Sequence, residues 1–342
     1  MKKLRYLTAL VAFLSSVYLF AADKGDTGTL KLLKSIDLPG YSGDFDHFAL
    51  DKASGRLFLA AEDHKTVEVF NAQTGQHLKS IKSFETPHSV LILPAGSGIL
   101  VTDSSKDGSK ILDAKTLAVK KTLRGLLPGA DSIGYDAKAN RIYIVTGGKE
   151  GDLPTATLAV VDGKSAEKVA EIPFAGEHVE AMALEKKGNR LYINVTDKNQ
   201  VAVVDRTTNK VTQLWTVGVA KTNSPVALDE DTRRLFIICR DPGMVVVMNS
   251  DTGKVTGTAP APLRSDDQAY DAGAKRLYVP GGEGWIGVYD TSDPDHIKLL
   301  EKVKSATGAK TALLSKDMNR LFVAVSPGEG KTGAKVLIYK TN

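Results

Sequence analysis

The sequence predicts an all-β protein, a seven-bladed β-propeller in which an N-terminal strand completes the last blade. Three observations predict this fold: a phrase that recurs along the chain, runs of β-branched residues inside every repeat, and a final repeat that lacks one strand. No segment shows the sustained period of 3.6 residues that would indicate a helix.

The recurring phrase is a turn residue, an arginine and then large apolar residues. Gly98 replaces the arginine in one of its copies. The arginines of the other copies are Arg56, Arg141, Arg190, Arg234, Arg276 and Arg320. From the first to the last is 264 residues in six steps, so the repeat averages 44 residues. That length suits one four-stranded propeller blade of roughly 40–45 residues. The arginines are interpreted as structural braces between blades or turns.

Each repeat holds material for four strands separated by turns. In the first repeat these are residues 48–50, 56–60, 67–70 and 76–81. The third strand of each repeat ends in Asp or Asn, whose side chain can bond to backbone N–H groups two residues on and start a turn. The last repeat, residues 307–340, has only three strands. Segment 29–36 resembles a fourth strand, so we expect it to close the ring and remove an open sheet edge.

The first 22 residues resemble a signal peptide. Lys2, Lys3 and Arg5 precede an apolar stretch at 6–20, and Ala21 and Ala22 are small enough for cleavage. We therefore expect a periplasmic or secreted protein, with a single propeller domain at 28–342 and no membrane span after cleavage. A retained N-terminal anchor is the alternative, because the residues before the cleavage site fit the A-x-A preference poorly.

The charge pattern argues against a nucleic-acid partner. The formal net charge is +5, but three basic residues precede the first acid, Asp23, and no run of clustered Lys or Arg follows. The one cysteine, Cys239, lies in an apolar run at 235–239, which predicts a buried and inert thiol.

The repeats resemble those of the bacterial YVTN-repeat, YncE-like β-propellers. The matching phrases are residues 141–146, 191–196 and 199–211, and the likeness extends over 28–342. The resemblance implies a WD40-like repeat fold and an exported protein. It implies no single activity, since that family has none.

Candidate functional residues follow from the propeller geometry. The first strand of each blade is innermost, so its first residues surround the mouth of the central channel, on the same face as the loops after the second strands. The candidates at this mouth, which we call the top face, are Asp46, His47, His88, Asp131, Glu180, Asn223, Asp266, Asp267 and Lys310, with Arg240 from one of those loops. His178 lies just upstream of Glu180, and the other loops after second strands, Glu62 among them, form the surrounding rim.

Carboxylates and imidazoles that converge on an axis are suited to a cation. Asp46, His47, His88 and Glu180 are the candidate ligands of a divalent metal, with Zn, Cu and Ca all chemically reasonable. The alternative is that these acids are solvated or bonded to neighbouring blades. Neither histidine belongs to a short ligand motif, so the prediction is spatial.

Two functions follow from these observations. The first is a monomeric binding module that holds a small molecule or protein ligand on its top face. The second is a metal-dependent enzyme, an oxidoreductase or lactonase-like hydrolase, with a cation at the channel mouth. The glycine-rich stretches form no Walker pattern, which argues against nucleotide binding, and no nucleophile elbow occurs. The sequence does not decide whether the protein is an enzyme.

Overall fold

Regularly spaced antiparallel strands dominate the computed structural model, which describes residues 28–328 and 330–342. The first strand is β1 (Leu30–Asp37). Blades one to three comprise β2 (Phe48–Asp51), β3 (Arg56–Ala61), β4 (Thr66–Asn71), β5 (His77–Ile81), β6 (Pro87–Ile92), β7 (Ile99–Asp103), β8 (Lys110–Leu112), β9 (Val119–Thr122), β10 (Ile133–Asp136), β11 (Arg141–Gly147), β12 (Ala156–Asp162) and β13 (Lys168–Pro173).

The remaining blades continue the same order. Blades four to seven comprise β14 (Val179–Leu184), β15 (Arg190–Val195), β16 (Gln200–Asp205), β17 (Lys210–Thr216), β18 (Lys221–Asp229), β19 (Arg234–Asp241), β20 (Gly243–Asn249), β21 (Val255–Pro260), β22 (Ala269–Asp271), β23 (Arg276–Gly281), β24 (Trp285–Asp290), β25 (Lys298–Lys304), β26 (Ala309–Ser315), β27 (Arg320–Val325) and β28 (Lys335–Thr341). Short 3₁₀ turns lie at Pro94–Gly96, Lys149–Gly151, Thr196–Lys198, Pro294–His296 and Lys316–Met318.

The N-terminal strand completes the last blade, as predicted. The seventh sheet has the order β1-β28-β27-β26, and β1 pairs antiparallel with β28 from Leu30 opposite Thr341 to Asp37 opposite Lys335. The described strands form seven four-stranded sheets in all. The structure therefore confirms the predicted all-β fold, a seven-bladed propeller closed by its N-terminal strand.

The core lies between the blades because strand side chains alternate between two faces. On β3, Leu57 and Leu59 pack against blade seven, whereas Phe58 packs against blade two. Each second strand is buried on both sides in this way, which explains its nearly continuous apolar sequence. Cys239 belongs to one of these clusters, and burial raises the pKa of its thiol to about 12, as expected for an inert core residue.

The recurrent arginines lie where each second strand begins, at the end of the disc opposite the mouth. Arg190 donates to the Ser250 carbonyl (3.0 Å) and to Asp251 (2.6 Å) of the next blade. Arg234 binds Asp295 of the next blade through two bonds of 2.6 and 2.7 Å. Arg56 and Arg320 reach carbonyls of their neighbouring blades in the same manner. These contacts agree with the predicted bracing role.

Among the described residues no helix is long and apolar enough to cross a lipid bilayer. The predicted signal peptide, residues 1–22, lies outside the described residues.

Candidate functional site at the channel mouth

Charged side chains from all seven blades converge on one cavity of about 280 Å³ at the end of the channel where the first strands begin. The cavity, here called the mouth, is lined by Asp44, Asp46, His47, Glu62, His88, Asp131, Lys149, Glu150, His178, Glu180, Arg240, Asp266 and Lys310. The structure therefore brings eight of the ten predicted site residues into this cavity. The exceptions are Asn223 and Asp267.

Irregularities in the first strands direct several of these side chains toward the axis. In β6 the register shifts between Pro87 and Val90, so two residues, including His88, lie opposite one residue of β7. Similar shifts occur around Glu180 in β14 and around Lys310 in β26. A bulge of this kind bends the strand and re-aims the extra residue. The bulges thus turn residues of a buried sheet toward the mouth.

Asp46 lies between two imidazoles at the side of the mouth formed by blades one to three. Its Oδ2 is 2.7 Å from His88 Nδ1, and its Oδ1 is 3.2 Å from His47 Nε2. Burial alone would raise the pKa of Asp46, but the charges of His47 and His88 lower it to about 2. Although burial opposes charge on the imidazole, Asp46 and Asp131 raise the pKa of His88 to about 10. This side of the mouth therefore holds a closely coupled group of acids and imidazoles.

Two further carboxylates of this side have the opposite shift. Burial raises the pKa of Glu62 to about 7, and the neighbouring carboxylate of Asp46 adds to the effect. Burial together with Asp46 and Glu180 likewise raises the pKa of Asp131 to about 7. Carboxyl groups whose pKa is raised toward neutral pH are common at functional sites.

The geometry allows two overlapping sets of metal ligands. Donor atoms of Asp46, Glu62 and His88 lie within 4.8 Å of one another, and so do those of Asp46, His47 and Asp131. Ligands of one ion, each bonded at ~2.0–2.6 Å, are separated by distances of this order. Neither set contains the predicted ligand Glu180, whose Oε1 lies 2.7 Å from His178 Nε2.

The opposite side of the mouth carries paired cations. Arg240 donates to the Ser265 carbonyl (3.0 Å) and to Ser224 Oγ (2.9 Å), and it also contacts Asp266. Lys310 contacts Asp266 and lies 3.1 Å from Asp44. Although burial opposes its charge, these two acids raise the pKa of Lys310. The two cations are thus held in place and largely neutralised.

Asn223 and Asp267 lie outside the mouth for different reasons. Asn223 is completely buried and donates from Nδ2 to Asn194 Oδ1 (2.7 Å) and to the Gln200 carbonyl (2.8 Å) of blade four. Asp267 lines the channel below the mouth, where it accepts from His47 Nδ1 (3.1 Å) and from the Ala312 amide (3.1 Å). Asn223 joins blades, whereas Asp267 orients a mouth histidine.

A second cavity of about 260 Å³ continues the channel below the mouth. Its wall includes Phe48, Val90, Ile133, Met182 and Val226, so it is more apolar than the mouth. His47 lines both cavities and marks the level at which they meet. A ligand that enters this far would exchange charged surroundings for apolar ones.

Two mouth residues, Asp44 and Glu150, were absent from the sequence-based candidates, whereas Glu62 and Lys149 belong to loops that the sequence assigned to the rim. Asp44 precedes β2, and Lys149 and Glu150 belong to a 3₁₀ turn after β11. Glu62 lies in the loop that follows β3. The signal that identifies all of them is their position directly after a second strand or before a first strand, which places them on the top face.

Comparisons with known proteins identify the fold and nothing more. No protein-family model matches the sequence, and no curated protein matches it. One similar solved chain comes from the "Crystal Structure of Mitotic Checkpoint Complex". Its TM-score is 0.74 at 16% identity, over 98% of this chain and 99% of that chain. At this identity the likeness shows a shared propeller fold alone.

Proposed function

We propose that this chain is an exported β-propeller of the YVTN-repeat, YncE-like type that binds a small molecule or a protein through its top face. The repeat phrases support the family, and the propeller fold is a general scaffold for binding. The apolar leader at residues 6–20 supports export.

The observation that carries the binding proposal is the collection of ionisable groups from all seven blades in one cavity. Removing charges from water is costly unless they are paired, and the fold does not need charges at this position, because the blades are held by apolar contacts between sheets. The mouth residues also differ from blade to blade, whereas the core residues repeat. A ligand is the simplest reason for such a site.

The arrangement favours a ligand with polar or charged groups on more than one side. Arg240, Lys149 and Lys310 present donors, while Asp46, Glu62 and Asp131 present acceptors. The apolar channel wall below can accept a hydrocarbon portion of the same ligand.

Thermal unfolding in the presence of a panel of anionic, cationic and zwitterionic small molecules tests this proposal. The measurement uses wild type, Arg240→Gln and the matched control Arg276→Gln, whose arginine pairs with Asp290 (3.2 Å) at the opposite end of the disc. We expect at least one compound to raise the Tm of wild type and of the control, but not that of Arg240→Gln. Compounds that raise the Tm of all three equally, or none at all, would contradict binding at the mouth.

Export is tested separately by fusing residues 1–27 to alkaline phosphatase, which is active only after it leaves the bacterial cytoplasm. We expect activity with the native segment and none when Lys2, Lys3 and Arg5 are replaced by Glu. Equal inactivity of both fusions would argue against export.

A metal-dependent oxidoreductase or lactonase-like hydrolase is the second candidate. The grouping of carboxylates and imidazoles next to the apolar channel wall favours it, since a cation there would polarise a substrate carbonyl or a water molecule. A panel of lactones assayed with and without added Zn²⁺ tests this function. Zn²⁺-dependent turnover that disappears in His88→Gln would support it, and no turnover of any lactone would remove the hydrolase.

A further inference from the structure

We infer that the mouth contains a binding site for one divalent transition-metal ion, held by Asp46, Glu62 and His88. The site lies within the proposed ligand-binding mouth but differs from the ligand set expected from the sequence, because it includes Glu62 and lacks His47 and Glu180. It does not depend on an organic ligand.

The three ligands come from different elements whose backbones are fixed to one another. Asp46 precedes β2 and its amide donates to the Ala60 carbonyl (2.9 Å) of β3, directly before the loop that carries Glu62. The amide of His47 donates to the carbonyl of His88 (3.1 Å), which joins blade one to blade two. The donors are therefore held within 4.8 Å of one another by the scaffold before any ion arrives.

His88 supplies evidence that is independent of the acids. Its side chain is 4% exposed, and its Nε2 is buried without a hydrogen-bond partner among the described residues. Buried polar atoms are nearly always satisfied, so an unsatisfied nitrogen on an imidazole that lines the mouth points to a group that the chain itself does not contain. A metal ion is the group that an imidazole beside two carboxylates binds most readily.

The donor set also limits the kind of metal. Two carboxylates neutralise a dication in a site that is largely removed from water. One imidazole nitrogen with two carboxylates suits Zn²⁺, Mn²⁺ or Fe²⁺, whereas Ca²⁺ and Mg²⁺ prefer oxygen ligands alone. His47 and Asp131 form the second possible ligand set with Asp46. Their positions allow them to orient Asp46 or to serve as additional ligands of the ion. The neighbouring Lys310 is held by Asp44 and Asp266, which offset its charge.

Calorimetric titration of EDTA-treated protein with Zn²⁺ alone tests the site. We expect one equivalent of Zn²⁺ to bind wild type. We expect His88→Gln and Glu62→Gln each to lower the Zn²⁺ affinity more than about 100-fold. Loss of a residue that only hydrogen-bonds to a metal ligand lowers metal affinity by about 10–100-fold, so the larger loss indicates a direct ligand. Among the described contacts the Glu62 side chain makes no hydrogen bond or ion pair, so its variant is expected to fold normally. Circular dichroism and Tm verify this for both variants.

Two matched controls change the same residue types outside the site. His64 is exposed and lies against Tyr41 (ring centroids 4.0 Å apart), and Glu85 is exposed and pairs with Lys65. We expect His64→Gln and Glu85→Gln to bind Zn²⁺ as wild type does. No binding by wild type, or equal affinity in folded His88→Gln and Glu62→Gln, would overturn the metal site. Either result would leave the proposed binding of organic or protein ligands untouched, because that test uses no metal.

Discussion

The two ends of the disc use charged residues in opposite ways. At the end where the second strands begin, an arginine recurs at the same position in six repeats and in four of them reaches the next blade. At the mouth, the blades supply Asp, Glu, His, Arg or Lys without a repeating pattern, and the acids outnumber the Lys and Arg side chains that could pair with them. The arginine charges therefore repeat from blade to blade, whereas the charges at the mouth do not.

Substitutions at the arginine end should mainly affect stability, and substitutions at the mouth should mainly affect binding. A repeated ion pair between blades strengthens an interface that every blade needs. Several mouth charges also pair between blades, but the carboxylates outnumber the Lys and Arg side chains, and the burial of a carboxylate that is unpaired among the described residues, such as that of Glu62, opposes folding. Substitutions at the two ends should therefore separate stability from binding.

Removal of the closing strand should have the largest effect, because it breaks the repeat itself. A chain that begins at residue 39 loses β1 and leaves β28 as an open edge in blade seven. We expect aggregation or loss of the cooperative unfolding transition, measured by size-exclusion chromatography and circular dichroism. A chain that begins at residue 28 is the control and should elute as a folded monomer. A monomeric, cooperatively folded 39–342 chain would contradict the closure account.

Glu185→Gln should cause a large loss of stability at the arginine end. Glu185 is almost completely buried and accepts from Arg190 Nε (3.1 Å), from Arg233 (2.8 Å) and from the Tyr192 hydroxyl (2.9 Å). Removing its charge leaves two guanidinium groups, one from each of two blades, without their buried acid, and the acid that they still share, Asp251, is exposed. We expect a decrease of about 3 kcal/mol in the free energy of unfolding in urea, with Zn²⁺ affinity unchanged.

The same substitution at the mouth should give the reverse result. Glu62→Gln removes a carboxylate whose charge is opposed by burial, so the metal-free variant should unfold within about 0.5 kcal/mol of wild type or be slightly more stable. Its affinity for Zn²⁺ should fall. A loss of stability equal to that of Glu185→Gln would remove the distinction between the two ends.

The smallest expected effect is a change in acid sensitivity at the arginine end. The hydrogen bond from Arg234 lowers the pKa of Asp295 from 3.8 to about 2, so its contribution to stability is present above about pH 4 and is lost as the pH falls toward 2. Asp295→Asn should therefore flatten the stability curve between pH 4 and 2. Denaturant titrations at several pH values measure this, with the exposed Asp107→Asn as the control that keeps the wild-type slope.

Most of the fold can be predicted from the sequence because the fold consists of similar repeats. The arginine phrase marks each second strand, and the three-stranded last repeat requires the strand found at Leu30–Asp37. The positions of Asp46, His88, Asp131 and Asp266 at the mouth follow from the same period, since the start of each first strand faces the axis.

The remaining details depend on departures from the period. In β18 the register shifts between Asn223 and Val226, and Asn223 bonds to blade four instead of lining the mouth. The proximity of Glu62 to His88 joins a loop of blade one to a bulge of blade two, which no local pattern in the sequence describes. Bulges and loop contacts are set by tertiary packing, so the sequence alone could place these residues on the top face but could not pair them.

Anomalous diffraction from a crystal of residues 28–342 grown with one equivalent of Zn²⁺ tests most directly whether the unrepeated charges of the mouth form a binding site. We expect one strong peak in the mouth, about 2.0–2.2 Å from a nitrogen of His88 and from carboxylate oxygens of Asp46 and Glu62. A mouth without a peak, with zinc bound only at surface residues, would contradict it.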